Sequence, residues 1–247
     1  LGDVYKRQDV QSSIQNLEQM GIEVKLATGD SLEVSKTVCA KVGLQIKGAI
    51  TGVELDQISD EQLPKVALNT TIFARVSPEQ KARILLALRR TDKSVGFLGD
   101  GVNDAIALHD ADVGISVDTA TDVAKDAADV VLLKKDLGVL GDGIRLGRKV
   151  FNNTMKYIFM ATSADFGNLV SASIGSLILP FLPMLPTQVL LQDLLYDSSQ
   201  LAIPTDNVDT EQIAKPSHWN IRFIQKFMLI FGLASSIFDF LTFALLY

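Results

Sequence analysis

The chain has 247 residues, 47% of them hydrophobic and 21% charged, a net charge of −6 at pH 7 and a single cysteine, Cys39. This weakly acidic balance gives no support to nucleic-acid binding, and one cysteine excludes an internal disulfide. Most of the charge precedes residue 150 and long apolar runs follow it, so two unlike halves are expected.

In chain order, the first half alternates helix and strand. A helical pattern over 9–20 leads to a strand over 24–27, which ends in Thr28-Gly29-Asp30 before a helix over 32–42. A threonine hydroxyl and adjacent backbone N–H groups at such a junction can hold a phosphate. The simpler role of Asp30 and Ser31 is to cap the helix. Strands over 49–51 and 71–74 come next. Ser77 then reads as an N-cap and Pro78 as the first residue of a helix over 78–90. Lys81 falls one turn in, near the same sheet edge, where an ammonium can neutralise a phosphoryl group. Taken alone, it reads as a solvated surface lysine.

The apolar run over 95–98 ends in Gly99-Asp100-Gly101-Val102-Asn103-Asp104. A buried strand stopping there places Asp100 at the carboxyl edge of a sheet, where open α/β sheets bind ligands. A helix over 103–109 starts at once, so Asp100 and Asp104 can converge on one hard cation. Mg2+ suits such a pair, since it takes one or two carboxylates plus waters and phosphate oxygens. A lone Asp-Gly is more often a turn. The ordered set of Thr28, Lys81 and Asp100 with Asp104, each beside a strand end, is harder to explain by turns. Strands over 113–115 and 130–133 about a helix over 120–127 complete the pattern. It predicts a doubly wound, mostly parallel α/β sheet.

These segments resemble the haloacid-dehalogenase-like phosphotransferases and, within them, the P-type cation ATPases. The resemblance is carried by Thr28-Gly29-Asp30, by residues 75–81 and by Gly99-Asp100-Gly101-Val102-Asn103-Asp104-Ala105. It continues through Ala111-Asp112-Val113-Gly114-Ile115-Ser116 and Ala127-Ala128-Asp129-Val130-Val131-Leu132. Ile106 stands where the family usually has proline, a change expected to alter a helical turn and not the chemistry. Residues 1–8 do not fit the family and are read as a non-native leader. Residues 9–150 are then expected to be the haloacid-dehalogenase-like phosphorylation domain.

Residues 151–247 read as an α-helical transmembrane region with spans over 157–179, 187–203 and 223–247. Arg145, Arg148, Lys149 and Lys156 precede the first span, and Lys215, Arg222 and Lys226 lie in or beside the second connection. The link Pro180-Phe181-Leu182-Pro183-Met184-Leu185-Pro186 is uncharged. The positive-inside rule places the basic ends and residues 9–150 in the cytoplasm, and this link outside. The alternative is a soluble protein with a hydrophobic helical second domain. Asp165 and Asn168 fall in the first expected span, and Gln192, Asp193, Asp197 and Gln200 in the second. Carboxylates in a span mark a functional path or a pair. Asp193 and Asp197, four apart, share one helical face, and oxygen ligands suit a hard divalent cation. Hydrogen bonding between helices is the plainer account of Asn168 or Gln192.

Five membrane-half segments are similar to the bacterial magnesium-transporting branch of that family. They are Phe166-Gly167-Asn168, the proline-rich link, Leu194-Leu195-Tyr196-Asp197, Ile203-Pro204-Thr205-Asp206-Asn207-Val208-Asp209 and Ser235-Ser236-Ile237-Phe238-Asp239. The resemblance implies transported-ion ligands at Asn168, Asp193 and Asp197, with Asp193 in place of the usual asparagine. It implies that ATP phosphorylates an aspartate while Asp100, supported by Asp104, binds the catalytic Mg2+. Lys81 and Thr28 would hold phosphoryl oxygens, Asn103 and Gly29 would add hydrogen bonds, and Arg75 and Asp30 would lie near the nucleotide. It also implies a multi-pass protein of the plasma (inner) membrane whose partners are ATP, the transported divalent cation, the bilayer and the missing N-terminal portion of the same pump. The family's nucleophile segment, Asp-Lys-Thr-Gly-Thr, does not occur here, so the chain reads as a fragment inactive alone. A membrane-anchored haloacid-dehalogenase-like phosphatase is the alternative; acids inside the spans favour the pump.

Overall fold

The computed structural model describes residues 2–91, 93–134 and 136–246. The chain divides into two compact units, Leu1–Ile144 and Arg145–Tyr247.

The first unit runs α1 (Gly2–Gln19), β1 (Leu26–Ala27), α2 (Leu32–Lys41), β2 (Ala49–Thr51), α3 (Gly52–Asp56) and α4 (Leu63–Asn69). It continues with β3 (Ile72–Ala74), α5 (Pro78–Arg89), β4 (Gly96–Leu98), a 3-10 turn (Val102–Asp104) and α6 (Ala105–Asp110). β5 (Val113–Val117), α7 (Asp122–Asp126) and β6 (Val130–Leu132) complete its strands, and α8 (Leu137–Ile178) begins in it and runs on into the second unit.

Every strand pair is parallel, with Leu26 opposite Ile72, Ile50 opposite Phe73, Phe97 opposite Gly114 and Ile115 opposite Val130. The strands form two three-stranded sheets, ordered β1-β3-β2 and β4-β5-β6, where a single sheet was expected. β1 and β4, whose carboxyl ends carry the candidate loops, are both edge strands of their sheets.

The central parallel strand β3 is covered on both faces, so its side chains leave water entirely. Ile72, Phe73 and Ala74 of the central β3 are 0% exposed. Phe73 packs with Leu55, Leu63 and Ile84 beneath α3, α4 and α5, while Ile72 and Ala74 pack with Ile14, Cys39 and Leu44 beneath α1 and α2. Cys39 is therefore a core residue, and burial pushes its thiol pKa up, away from reactivity. In the second sheet Ile115 and Val117 pack with Leu108, Ala124 and Leu132. Gly114 is needed there, because a Cβ on it would run into the Leu108 carbonyl.

α1 starts at Gly2 and so includes residues read as leader, not at residue 9 as expected. α3 and α4 were not anticipated, since five and seven residues are too few to establish a helical period. Local chemistry still specifies α3: Thr51 accepts from Glu54 N–H while the Glu54 carboxylate accepts from Thr51 N–H at 2.7 Å. The helix expected over 103–109 opens as a 3-10 turn, and the one over 120–127 shortens to α7 because Thr121 caps it.

The second unit holds most of α8, then α9 (Pro186–Gln200), a 3-10 turn (Ile203–Thr205), α10 (Thr210–Ala214) and α11 (Ile221–Leu246). Among the described residues one helix, Ile221–Leu245, is both long and apolar enough to cross a bilayer. It matches the third expected span, whose last residue, Tyr247, lies outside the described residues. The first expected span lies inside α8, but Asp165, Asn168 and several serines dilute its apolar character. The second becomes α9, whose 15 residues extend about 22 Å against a hydrocarbon core of about 30 Å.

Candidate functional site

The loop after β1 is stitched to the loop after β3. Thr28 N–H donates to Phe73 O at 2.9 Å, Val76 N–H to Thr28 O at 3.1 Å, and Arg75 N–H to Asp30 O at 2.9 Å. Within the first loop, Asp30 N–H donates to Thr28 Oγ1 at 3.1 Å and the Thr28 hydroxyl to Asp30 Oδ2 at 3.1 Å. Thr28, Gly29 and Asp30 are thus held as one turn, with Gly29 and Asp30 exposed. Ser31 caps α2, so the capping role foreseen for this segment falls on Ser31.

Arg75 pays for this stitching with a left-handed backbone, φ 51°, the one non-glycine residue so placed among those described. For an L-residue that conformation costs about 1–2 kcal/mol. Arg75→Gly should therefore leave stability unchanged or raise it by up to about 1 kcal/mol, whereas the β-branched Arg75→Val should lower it by about 1 kcal/mol or more. Urea unfolding of the two variants beside the parent measures the difference.

Ser77 and Gln80 form a capping box that starts α5: Gln80 N–H donates to Ser77 Oγ at 3.2 Å and Ser77 N–H to Gln80 Oε1 at 2.9 Å. Gln80 also donates to Gly52 O at 3.0 Å and to Asp56 Oδ1 at 2.7 Å, tying α5 to α3. The sequence reading missed this tie, although Ser-x-x-Gln at 77–80 was its visible signal. Beside it, the Glu79 carboxylate accepts its own backbone N–H and the Ser77 hydroxyl, which holds its pKa below the usual carboxylate value.

The cap aims Lys81 from the first turn of α5 at the loop after β4. Lys81 Nζ donates to Asp104 Oδ1 at 2.6 Å, and the two side chains are 13% and 15% exposed. The Asp100 loop is pinned on three sides. Gly99 N–H donates to Ile115 O at 3.1 Å, the buried Ser116 hydroxyl to Gly99 O at 3.0 Å, and Thr121 N–H to Asp100 O at 3.1 Å. A Cβ on Gly99 would lie 2.6 Å from Asp104 Cβ, so only glycine lets the two ends of this loop close. Asp100 and Asn103 are exposed at its tip.

Among the described residues no group of three or more His, Cys, Asp or Glu side chains could hold a metal. Two carboxylates, one exposed and one anchored by lysine, do not make an all-protein Ca2+ or Zn2+ cage. They do suit Mg2+, which completes its shell with water and phosphate oxygens.

In the second unit, Asn168 on α8 meets α9: Gln192 Nε2 donates to Asn168 Oδ1 at 3.2 Å. Asp193, Asp197 and Asp165 lie close enough to interact electrostatically. Asp165 was not in the expected ligand set; its position three residues before Asn168, on the same face of α8, was the available signal. The basic end of α8 is tied to the chain after α9. Lys156 Nζ reaches Asp206 Oδ2 at 2.7 Å, Asn153 Nδ2 donates to Asp206 O at 3.2 Å, and Arg148 Nη1 donates to Ile213 O at 2.9 Å. The Lys156 ammonium holds the Asp206 pKa below the usual carboxylate value.

The family model of the haloacid dehalogenase-like hydrolases matches residues 4–112, the stretch that holds most of the parallel strands, the threonine turn, the lysine one turn into a helix and the aspartate loop at a strand end. More narrowly, over most of its length the chain is similar to P-type cation-transporting ATPases. It is 51% identical over 235 residues to the magnesium-transporting ATPase, P-type 1, of Escherichia coli (strain K12), covering 95% of this chain and 26% of that protein. It is 35% identical over 217 residues to calcium-transporting ATPase 1 of Bacillus cereus, covering 86% of this chain and 24% of that protein. Identity to the calcium-transporting ATPase type 2C member 1 of Homo sapiens is 30% over 236 residues, covering 94% of this chain and 26% of that protein. The chain thus spans about a quarter of the length of these relatives.

Proposed function

We propose that this chain is part of an ATP-driven pump that moves Mg2+ across the plasma membrane through an aspartyl-phosphate intermediate. The observation that carries the reading is the Lys81–Asp104 ion pair beside the Asp100 loop. It places a fixed positive charge and two carboxylates at strand ends, which is the arrangement phosphoryl transfer needs. The relatives named for magnesium match at 47% and 51% identity and those named for calcium at 35% and 30%, which favours Mg2+ as the cargo.

In this reading Asp100 and Asp104 hold the catalytic Mg2+, which when bound offsets charge on the transferring phosphoryl group. Lys81, fixed by Asp104, presents its ammonium to the phosphoryl oxygens. The Thr28 hydroxyl and the Gly29 N–H hold another oxygen, and the Asn103 amide adds a hydrogen bond. Arg75 and Asp30, joined through the backbone, lie toward the nucleotide. The nucleophile belongs to a segment of the pump outside this chain. Among the described residues β1 and β4 are edge strands, and a segment pairing beside either would bring its carboxyl end to the Thr28 or the Asp100 loop.

α8, α9 and α11 are then membrane helices, and residues 9–150 are cytoplasmic. The ties of Arg148, Asn153 and Lys156 to residues 206–214 support this topology, because they keep the start of α8 and the chain after α9 on one side. Asn168, Asp193 and Asp197 are the transported-ion ligands, with Asp165 close by. Acids within these helices favour a pump over a merely anchored phosphatase.

Two outcomes are expected. The isolated chain forms no acid-stable phosphoenzyme with labelled ATP, since it lacks the nucleophile. In the full-length pump, Asp197→Asn raises the Mg2+ concentration for half-maximal uptake about tenfold or more, whereas Asp193→Asn, which restores the usual family residue, stays within about threefold of the parent. Mg2+ uptake into proteoliposomes is the measurement, and parental Mg2+ dependence in Asp197→Asn would remove this ion site.

A further inference from the structure

Asp239 is a carboxylate in the otherwise apolar stretch of α11, and neither the phosphorylation site nor the ion ligands use it. A carboxylate at such a position is costly and is retained where it has a partner. Its partner is Ser171 of α8, fully buried, whose hydroxyl donates to Asp239 Oδ2 at 2.6 Å.

The seam around this bond is made of small residues. Ser163, Gly167 and Ser171 recur every four positions along one face of α8, opposite Gly232 and Ser236 of α11. A Cβ on Gly167 would lie 2.9 Å from Gly232 O, and one on Gly232 would lie 2.9 Å from Ser163 O, so the two backbones touch. The buried Ser236 hydroxyl lies 3.0 Å from Gly167 O and 3.1 Å from Gly232 O. Such a seam is close. Toward its basic end Phe159 of α8 packs against Phe223 and Phe227 of α11, and farther along the directional Ser171–Asp239 hydrogen bond adds to what fixes how far α8 is turned about its axis.

That turn matters for Asn168. It follows Gly167 by one residue, about 100° round the helix. When Gly167 and Ser171 face α11, Asn168 is turned toward α9, where Gln192 Nε2 meets its Oδ1 at 3.2 Å. We propose that Asp239 is a positioning residue for cation transport: through Ser171 it sets the rotation of α8 that presents Asn168 to the ion path. This rests on the reading of Asn168 as an ion ligand.

The test uses the full-length pump in proteoliposomes, with Mg2+ uptake measured against external Mg2+. Asp239→Leu and Ser171→Ala should each raise the half-saturating Mg2+ about tenfold, the usual weight of a hydrogen bond to a charged group, while phosphoenzyme formation stays at the parent level. Asp239→Asn keeps a carbonyl acceptor for the Ser171 hydroxyl and should stay near the parent. Adding Ser171→Ala to Asn168→Ala should cause no further change, since the serine acts through the asparagine. Additive effects in that pair, or unchanged Mg2+ dependence in both Asp239→Leu and Ser171→Ala, would overturn the proposal. If those two variants are parental while Asn168→Ala loses Mg2+ affinity, the positioning role alone falls. If Asn168→Ala is itself parental, the ion-site reading falls and takes this proposal with it.

Discussion

Asp100→Asn in the full-length pump should lose phosphoenzyme formation by two orders of magnitude or more while the protein remains folded. The loop that carries Asp100 is fixed by backbone bonds to Ile115 and Thr121 and by the Ser116 hydroxyl, none of which involves the Asp100 carboxylate. A neutral amide leaves those bonds in place and removes the charge proposed to face Mg2+. Losing one such electrostatic contact in phosphoryl or acyl transfer costs on the order of 3 kcal/mol in the transition state, about a hundredfold in rate. Labelling with ATP at saturating Mg2+, together with a urea midpoint matching the parent, checks both halves. Labelling within a few-fold of the parent would remove Asp100 from the mechanism.

Lys81→Met should damage activity and stability together. The Lys81–Asp104 pair is largely shielded, with side chains 13% and 15% exposed. Removing the lysine leaves a carboxylate with little water and no counter-charge, a situation that typically costs about 3–5 kcal/mol. The phosphoryl oxygens also lose their fixed cation, so labelling should fall about a hundredfold or more. Combining Lys81→Met with Asp104→Asn separates the two effects. The double variant should recover part of the lost stability, because the stranded charge is gone, and none of the activity. A double variant no more stable than Lys81→Met alone would show that the pair contributes little to the fold.

Much of this site was legible as local chemistry. Thr28-Gly29-Asp30, Ser77-Pro78 and Gly99-Asp100-Gly101 announce themselves because turn, cap and close-approach geometry each demand particular residue types at fixed spacing. The apolar run that became β3 was equally plain, since a strand buried on both faces has no polar alternation to confuse the period. The short helix α4 was not legible, because it has no side-chain cap and packs Leu63 and Ala67 into the core around Phe73, and α3, though capped by Thr51 and Glu54, is too short to show a period.

By itself, then, the sequence determined where the turns, caps and strand ends fall and the order of the loops that carry the proposed site, because those features are written within a few consecutive residues. Only the tertiary structure decided which of them meet. It paired Lys81 with Asp104 across 23 positions, turned Arg75 left-handed so that its N–H could reach Asp30, and divided the strands into two sheets with β1 and β4 as edges. It also brought Asp165 within electrostatic reach of Asp193 and Asp197, and gave Asp239 Ser171 as its partner. These are contacts between elements far apart in sequence, set by how helices and strands pack once their apolar faces leave water, and no local spacing encodes them.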